Sequence, residues 1–302
     1  MGTLYIVATP IGNLEDISAR ALRVLGEVPV IAAEDTRHSK RLLDHFRIST
    51  PLLSYHEHNQ RQRERRLLEL LAEGDVALIT DAGTPGVSDP GAGIVRAALA
   101  AGHSVSPVPG PSSLAAAVSA SGVADGPFIM LGFLPREAGA RNLLVGKAAA
   151  TGWPLVIFES PQRLAESLRG LHAALGDREA VVLRELTKMH EEIRHGTLAD
   201  LAAWAADHAP RGEIVVVIGG AAEAAESSGD DAAAVVASLR RAGLSPSKAA
   251  REAAAITGLP RAELYALAMR PLEDASVGLK GELALPQQNA LQQPLRDQER
   301  PE

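Results

Sequence analysis

Cysteine is absent from the 302-residue chain. Disulfides, iron–sulfur clusters, thiolate zinc sites and cysteine nucleophiles are therefore excluded. Aromatic residues make up only 3 % of the chain, so the stacking platforms of single-strand nucleic-acid binders would be sparse. No apolar run approaches the length of a membrane span, and the N-terminus lacks the basic start and apolar stretch of a signal peptide. We therefore expect a cytoplasmic protein without a membrane partner.

Positive charge is also in short supply, because 30 Lys and Arg stand against 37 Asp and Glu. This balance argues against a broad basic surface, although it leaves room for a local basic patch. The P-loop and the strand–GxGxxG fingerprint are both missing, which disfavours nucleoside-triphosphate and nicotinamide chemistry. His56-Glu57-His58 is the only close histidine pair and no further ligand pattern accompanies it, so no metal site is predicted.

Short apolar runs alternate with helical patterns along most of the chain. The helical patterns include Ile17–Leu25, Arg61–Leu71, Gly93–Ala101 and Gln162–Leu175. The runs are apolar at nearly every position, as in strands that are covered on both faces. They are Leu4–Val7, Val28–Ala33, Val76–Thr80, Phe128–Phe133, Pro154–Phe158, Ala180–Leu183 and Ile214–Ile218. A further strand is predicted at Ser104–Val108. This alternation predicts an α/β fold with largely parallel sheets.

Changes in composition divide the chain. Pro107–Pro111 cannot continue regular structure, and the chain beyond Pro271 is rich in Gln, Pro and charge. Ala232–Arg270 has the pattern of three short helices. The predicted units are an α/β domain at 1–110, a second α/β domain at 111–220, a linker at 221–231, a helical domain at 232–272 and a disordered tail at 273–302.

Six polar motifs each follow a predicted strand. They begin at Thr9, Glu34, Asp81, Pro109, Glu159 and Arg184. In a parallel sheet such motifs all lie at the carboxyl edge, where open α/β folds bind ligands. Three of the loops mix Gly and Pro with Ser or Thr, which lets the backbone approach a ligand closely. The pattern therefore predicts a cleft for an amphipathic cofactor rather than for a triphosphate.

Eight motifs stand in a specific order and spacing. They are Leu4–Leu14 with Asp16-Ile17, Ala33–His38, Asp81–Pro85, Asp89–Gly91, Pro109–Ser113, Gly132–Pro135, Phe158–Leu164 and Arg184–Lys188. Together they resemble the motifs of the bacterial ribosomal RNA small subunit methyltransferase I family. The segment Gly243–Tyr265 resembles the small helix-turn-helix-like domain of the same family.

The resemblance implies a two-domain fold of the tetrapyrrole methylase type (a class III methyltransferase), a homodimer, and S-adenosylmethionine as the methyl donor. The implied reaction is 2′-O-methylation of a cytidine ribose in the decoding region of 16S rRNA, so the small ribosomal subunit is the expected partner. Gly83-Thr84-Pro85 stands where the wider superfamily carries Gly-Asp-Pro, which speaks against a precorrin-type substrate. The expected cofactor-binding residues are Pro10, Gly12, Asp81, Gly83, Thr84, Pro85, Pro109, Gly110, Ser112 and Ser113.

Methyl transfer to a ribose hydroxyl requires alignment and a group that removes or polarises the hydroxyl proton. The carboxylates at the predicted edge are Glu34, Asp35, Glu159 and Glu185, and the cations are Arg37, Arg163, Arg184 and Lys188. Our catalytic candidates among them are Arg37, Lys188, Glu34 and Glu185. The alternative for each is an ion pair that holds the two halves together.

An RNA substrate requires local positive charge. The predicted RNA-binding cluster is Arg61, Arg63, Arg65 and Arg66; the alternative is a solvated helix face paired with nearby glutamates. Further basic residues occur in the C-terminal helices. Two other functions remain open: a methylase of a tetrapyrrole-like acid, and a non-catalytic nucleic-acid-binding protein.

Overall fold

The computed structural model describes residues 2–56, 58–221, 231–257 and 259–270. The predicted tail (273–302) and most of the predicted linker (222–230) lie outside the described residues. None of the helices within the described ranges is long and apolar enough to cross a bilayer.

The first half forms one five-stranded sheet with helices on both faces. Its elements are β1 (Thr3–Val7), α1 (Ala19–Glu27), β2 (Val30–Ala33), α2 (Thr36–His45), β3 (Leu52–Ser54), α3 (Gln60–Glu73), β4 (Val76–Ile79), α4 (Ala92–Ala100) and β5 (Ser104–Val108). The strand order is β3-β2-β4-β1-β5, and every pair is parallel. All four residues of β4 are buried, because apolar clusters cover both faces of this sheet. The parallel prediction is confirmed here.

The second half forms another five-stranded sheet. Its elements are α5 (Ser113–Ser121), β6 (Ile129–Phe133), α6 (Ala138–Ala149), β7 (Leu155–Glu159), α7 (Leu164–Leu175), β8 (Glu179–Arg184), β9 (Glu192–Thr197), α8 (Leu198–His208) and β10 (Ile214–Ile218). The strand order is β6-β7-β10-β8-β9. Here the prediction of a largely parallel sheet is wrong, since only β6 and β7 run parallel and the other pairs are antiparallel.

The antiparallel pairing has a physical reason that apolar runs do not reveal. An apolar strand that is buried on both faces looks the same in sequence whichever way it runs. Sequence analysis also missed β3 and β9. The first has only three residues, and the second is a polar edge strand in which no residue is buried, so neither forms a continuous apolar run.

Three helices follow the second sheet, as predicted. They are α9 (Asp231–Arg241), α10 (Pro246–Thr257) and α11 (Arg261–Ala268). Their buried residues, among them Val236, Leu239 and Ala250, belong to the same apolar cluster as Leu155 and Leu168 of the second sheet and its helices. The division of the chain into domains at residue 110 stays a prediction.

Candidate active site

The loops after β1 and β4 are joined directly to each other. Thr9 donates its backbone N–H to the carbonyl of Gly83 at 2.9 Å, and Gly83 returns the bond to the carbonyl of Thr9 at 3.0 Å. Gly83 adopts a φ of +78°, a left-handed conformation that favours glycine. Thr84 then donates its hydroxyl to the Pro111 carbonyl at 3.2 Å. These bonds hold three loops together at the carboxyl edge of the first sheet.

A cavity of 420 Å³ lies at this edge and is closed on its other side by the second sheet. Six of the predicted site residues line it: Glu34, Asp81, Gly83, Thr84, Ser112 and Ser113. Its apolar wall comes mainly from the second half and includes Phe133, Phe158, Leu183, Leu186 and Val215. Residues from loops of both halves therefore meet around one cavity, as expected for a cleft.

The second sheet also reaches the cavity through a segment that sequence analysis missed. Gly212 and Glu213, which precede β10, line the cavity. Because β10 runs antiparallel to β7 and β8, its N-terminal end lies beside their carboxyl ends. The parallel prediction would have placed this segment at the far edge, so no signal in the chain order pointed to it.

Carboxylates dominate the charged lining of the cavity. Burial raises the pKa of Glu34, and the neighbouring Asp81 and Asp35 carboxylates add to that rise. Burial also raises the pKa of Asp89, to about 6, and the charges of Glu34 and Asp81 add to it. Asp89 belongs to the Asp89–Gly91 motif but is not one of the predicted site residues, because its burial depends on residues far away in the chain. A cavity of this kind favours a cationic ligand.

The N-terminus of α5 faces the same cavity. Ser112 caps the helix by accepting the N–H of Ala115 at 3.4 Å, and Ser113 begins it. A helix N-terminus presents backbone N–H groups and the positive end of the helix dipole, which suits a carboxylate or phosphate. The cavity therefore offers sites for both signs of charge.

Glu185 and Lys188 form an ion pair beside the cavity rather than lining it. Lys188 Nζ lies 2.9 Å from Glu185 Oε1 and 3.2 Å from Glu213 Oε1, and the N–H of Glu213 also donates to Glu185 at 2.9 Å. That backbone N–H, together with Lys188, lowers the pKa of Glu185. Burial alone would lower the pKa of Lys188, but the two carboxylates raise it. Glu185 is therefore a weak proton acceptor.

The loop that carries this pair is strained. Glu185 and Thr187 have φ values of +52° and +66°, which cost non-glycine residues free energy. The residue between them, Leu186, lines the cavity. The strained loop thus places an apolar side chain in the cavity and a paired lysine next to it.

Arg37 is the most exposed of the four catalytic candidates, with 90 % of its side chain accessible. Its Nε lies 3.6 Å from the Asp35 carboxylate. Asp35 caps α2 by accepting the N–H groups of Arg37 and His38, and these bonds lower its pKa. Asp35 is therefore engaged in capping, while the Arg37 guanidinium points to solvent.

Glu159 and Arg163 have a structural role. Glu159 is fully buried and accepts the N–H of Ser160 at 2.8 Å and the hydroxyl of Ser167. Arg163 lies 3.4 Å from this carboxylate and donates to the Leu134 carbonyl at 3.0 Å. Removing either charge would leave its partner buried without compensation.

The other predicted cofactor residues do not line the cavity. They are Pro10, Gly12, Pro85, Pro109 and Gly110. Gly110 packs against Ala8, whose Cβ would be 3.2 Å from a β-carbon at residue 110. These residues shape the loops that carry the lining.

The predicted RNA-binding arginines lie on α3. Arg65 and Arg66 are exposed, and both reach Glu69, at 3.5 and 3.1 Å. Arg63 is half-buried, and its Nε has no hydrogen-bond partner among the described atoms. Arg61 belongs to the helix, but its side chain lies outside the described part. Exposed pairs of this kind contribute little to stability, so they leave the guanidinium groups available to a ligand. The described ranges contain no group of three metal-ligating side chains.

Two family models match different parts of the chain. Residues 3–202 match the Tetrapyrrole (Corrin/Porphyrin) Methylases, and residues 226–271 match the RsmI C-terminal HTH domain. The fold and the cavity thus define a methyltransferase of the tetrapyrrole methylase class. The chain belongs, within that class, to the ribosomal RNA small subunit methyltransferase I family, which confirms the resemblance predicted from the motifs.

Two curated relatives carry the narrower assignment. The chain is 49 % identical over 274 residues to ribosomal RNA small subunit methyltransferase I of Pseudomonas aeruginosa, covering 89 % of this chain and 97 % of the relative. It is 43 % identical over 273 residues to the protein of that name from Synechocystis sp., covering 89 % and 98 %.

A solved structure supports the fold. The chain is similar to uroporphyrin-III C-methyltransferase from Thermus thermophilus, complexed with S-adenyl homocysteine, at a TM-score of 0.53 and 22 % identity. The match covers 72 % of this chain and 97 % of that one.

Proposed function

We propose that this protein transfers a methyl group from S-adenosylmethionine to the 2′-hydroxyl of a cytidine ribose in the decoding region of 16S rRNA. The observation that carries the proposal is the acidic, two-walled cavity at the edge of the parallel sheet, in a chain that belongs to an rRNA methyltransferase family. We further propose that it acts in the cytoplasm as a homodimer on the small ribosomal subunit.

The cavity fits the proposed donor in charge and size. S-adenosylmethionine has a sulfonium and an ammonium group, and the carboxylates of Glu34, Asp81 and Asp89 would stabilise positive charge. Its carboxylate suits the N-terminus of α5, and its adenine suits the apolar wall around Phe133 and Phe158. The volume of 420 Å³ falls within the range of about 300–1,000 Å³ that is typical of small-ligand pockets.

The residues of the chain would then bind the donor, orient its methyl group and shield it from water. When bound, S-adenosylmethionine supplies an electrophilic methyl group on its sulfonium. The bridged Thr9 and Gly83 backbones hold the donor side rigid, which favours in-line alignment. The apolar side chains of Leu186 and Phe158 line the cavity and would shield a bound donor from water. Exclusion of water strengthens the electrostatic interactions inside it.

The acceptor is a polyanion, and the exposed cations on the first half suit it. Arg37 is almost fully accessible. Arg65 and Arg66 lie on α3, and both pair with the same glutamate, Glu69. We assign Arg37 to the phosphate or the developing alkoxide of the target ribose. Lys188 is held by Glu185 and Glu213, so we assign it to positioning of the loop between β8 and β9.

Transfer of labelled methyl groups tests the proposal. Purified protein and labelled S-adenosylmethionine are incubated with small ribosomal subunits, with free 16S rRNA and with a precorrin. We expect label in the rRNA, resistant to alkaline hydrolysis at one cytidine because a 2′-O-methyl group blocks cleavage of the following phosphodiester. Label in the precorrin would favour the tetrapyrrole alternative. RNA binding without transfer to any acceptor would favour the non-catalytic alternative.

A further inference from the structure

A second cavity lies behind the segment that contains Ser88 and Asp89. Its volume is 980 Å³, and its lining includes Gln60 and Glu64 of α3 and Arg96 of α4. Ser88 and Asp89 line this cavity as well as the 420 Å³ cavity described above. The two residues therefore border both cavities, and we refer to them as the partition.

The backbone of the partition is held in an unfavourable conformation. Ser88 has a φ of +64° and Gly91 a φ of +152°. A β-carbon at residue 91 would lie 3.1 Å from the N atom of Gly86 and 3.3 Å from Leu78, so glycine is required there. Strained residues of this kind persist only where the surrounding structure over-determines them, and they concentrate at functional sites.

No residue in the described part of the chain neutralises the carboxylate of Asp89. It is half-buried, and within the described ranges it takes part in no hydrogen bond and no ion pair. The other carboxylates near the cavity differ from it. Glu185 is paired with Lys188, and Glu159 is fully buried next to Arg163. Glu34 accepts the N–H of Asp81 at 3.4 Å, and Asp81 accepts the N–H of Asp35 at 3.1 Å. Of the carboxylates that line the first cavity, Asp89 is therefore the one with no hydrogen bond or ion pair among the described residues.

The groups around Asp89 favour its protonated form. Burial comes first, and the carboxylates of Glu34 and Asp81 then add to it, so that the pKa is about 6. Glu213 stands on the opposite wall of the first cavity, and Glu64 and Arg96 line the second. A general base with a pKa near the working pH combines adequate basicity with a deprotonated resting state.

The surroundings of the second cavity suit an RNA acceptor. It adjoins α3, which carries the predicted RNA-binding arginines, and Arg96 adds a further exposed cation. An acceptor that binds α3 would therefore approach the first cavity from this side. The first cavity suits the donor, so the two reactants would meet at Ser88 and Asp89.

We propose that Asp89 is the catalytic base that removes the proton from the hydroxyl to be methylated, with the acceptor entering from the second cavity. This inference rests on the proposed function. The acceptor O–H bond breaks and its proton passes to a carboxylate oxygen of Asp89. The acceptor oxygen forms the new O–CH₃ bond, and the electron pair of the broken C–S bond stays with the sulfur.

The test compares Asp89→Asn with the wild-type protein and with Asp207→Asn, which removes an exposed aspartate on α8. Single-turnover methylation of small subunits is measured at saturating donor and RNA. We expect Asp89→Asn to be slower by at least about 100-fold, the usual contribution of a general base, and the control to match the wild type. At limiting RNA the wild-type rate should rise with pH through about 6, and the variant should lack this rise.

A second readout does not depend on activity. A raised carboxyl pKa means that the folded protein binds more protons than the unfolded chain, so wild-type stability falls as the pH rises from the unfolded pKa towards 6. The melting temperature of Asp89→Asn should therefore gain on that of the wild type as the pH rises over this range. The melting curve shows that the variant is folded, and calorimetry with S-adenosylmethionine gives the donor concentration that saturates it.

Two outcomes would overturn the inference. One is a variant that transfers methyl groups at the wild-type rate with the same pH profile. The other is a slow variant that retains the rise near pH 6. Failure of the wild-type protein to methylate RNA is a separate result, and it would count against the proposed function itself.

Discussion

The α-carbon of Gly12 lies directly against the side chain of Lys188. A β-carbon at residue 12 would be 2.4 Å from Lys188 Cγ, 2.9 Å from Thr187 Oγ1 and 3.1 Å from the Leu186 carbonyl. Gly12 follows β1, and Lys188 follows β8, so the contact joins the edges of the two sheets. Only glycine allows this approach without displacement of the loop that carries Leu186.

Gly12→Ala should disturb both stability and donor binding. The methyl group has no room, so the loop after β8 must move, at a cost of about 1–3 kcal/mol. Urea denaturation measures the cost, and calorimetry with S-adenosylmethionine measures the affinity. The matched control is Gly26→Ala in α1, where a β-carbon would meet no atom within 4 Å. It should leave stability unchanged or raise it by up to about 1 kcal/mol. If the two variants have the same stability and the same donor affinity, the contact between Gly12 and Lys188 is contradicted.

Gly83→Ala should weaken donor binding, whereas Gly122→Ala should not. Both glycines have left-handed φ values, +78° and +67°, so each alanine should cost about 1 kcal/mol of stability. Of the two, Gly83 lines the cavity, and Gly122 ends α5 at the opposite end of the helix. We expect a donor affinity at least about tenfold lower for Gly83→Ala, which corresponds to about 1.4 kcal/mol. Matching affinities would place the donor elsewhere.

Replacing Arg61, Arg63, Arg65 and Arg66 together with alanine should weaken RNA binding and flatten its salt dependence. Each phosphate that the variant no longer neutralises should reduce the slope of log K against log salt by about 0.7 for single-stranded RNA. The control is Arg23→Ala, which removes another exposed helical arginine, paired with Glu27 at 2.8 Å. Donor affinity should stay unchanged in both proteins. An unaltered salt slope would mean that the arginines form only a solvated helix face.

Arg37→Ala and Lys188→Ala should have different effects, because the two side chains have different surroundings. Arg37 is exposed, so its removal should leave the melting temperature unchanged and slow single-turnover methylation at least about tenfold, or about 1.4 kcal/mol of barrier. Removal of Lys188 leaves Glu185 and Glu213 facing each other, so that variant should also melt earlier. If the folded fraction of both variants turns over at the normal rate, Arg37 and Lys188 have only a structural role.

The Lys188 variant also carries a pH signature. The lowered pKa of Glu185 means that its ion pair stabilises the fold above the unfolded carboxyl pKa, and that this stabilisation disappears as the pH falls through the lower folded value. Lys188→Ala should therefore lose most stability near neutral pH and differ least from the wild type in acid. Melting curves between pH 3 and 8 measure this difference.

Local patterns were sufficient to predict much of the framework. The apolar runs predicted β1, β2 and β4, and the polar motifs that follow them predicted a cleft at the carboxyl edge. Six of the predicted residues do line that cavity. These features follow from near neighbours in the chain, because a strand needs a short apolar run and a ligand loop needs its glycines and hydroxyls at the strand end.

Tertiary structure alone decided the rest. The antiparallel direction of β10 brings Glu213 to the cavity, yet its sequence fits either direction. The pKa of Asp89 depends on burial and on the charges of Glu34 and Asp81, and the pairing of Lys188 depends on Glu213. Residue type and order therefore determined which groups stand at the edge of the sheet. Their protonation and pairing depend on distances between groups far apart in the chain, because Coulomb interaction and desolvation act through space.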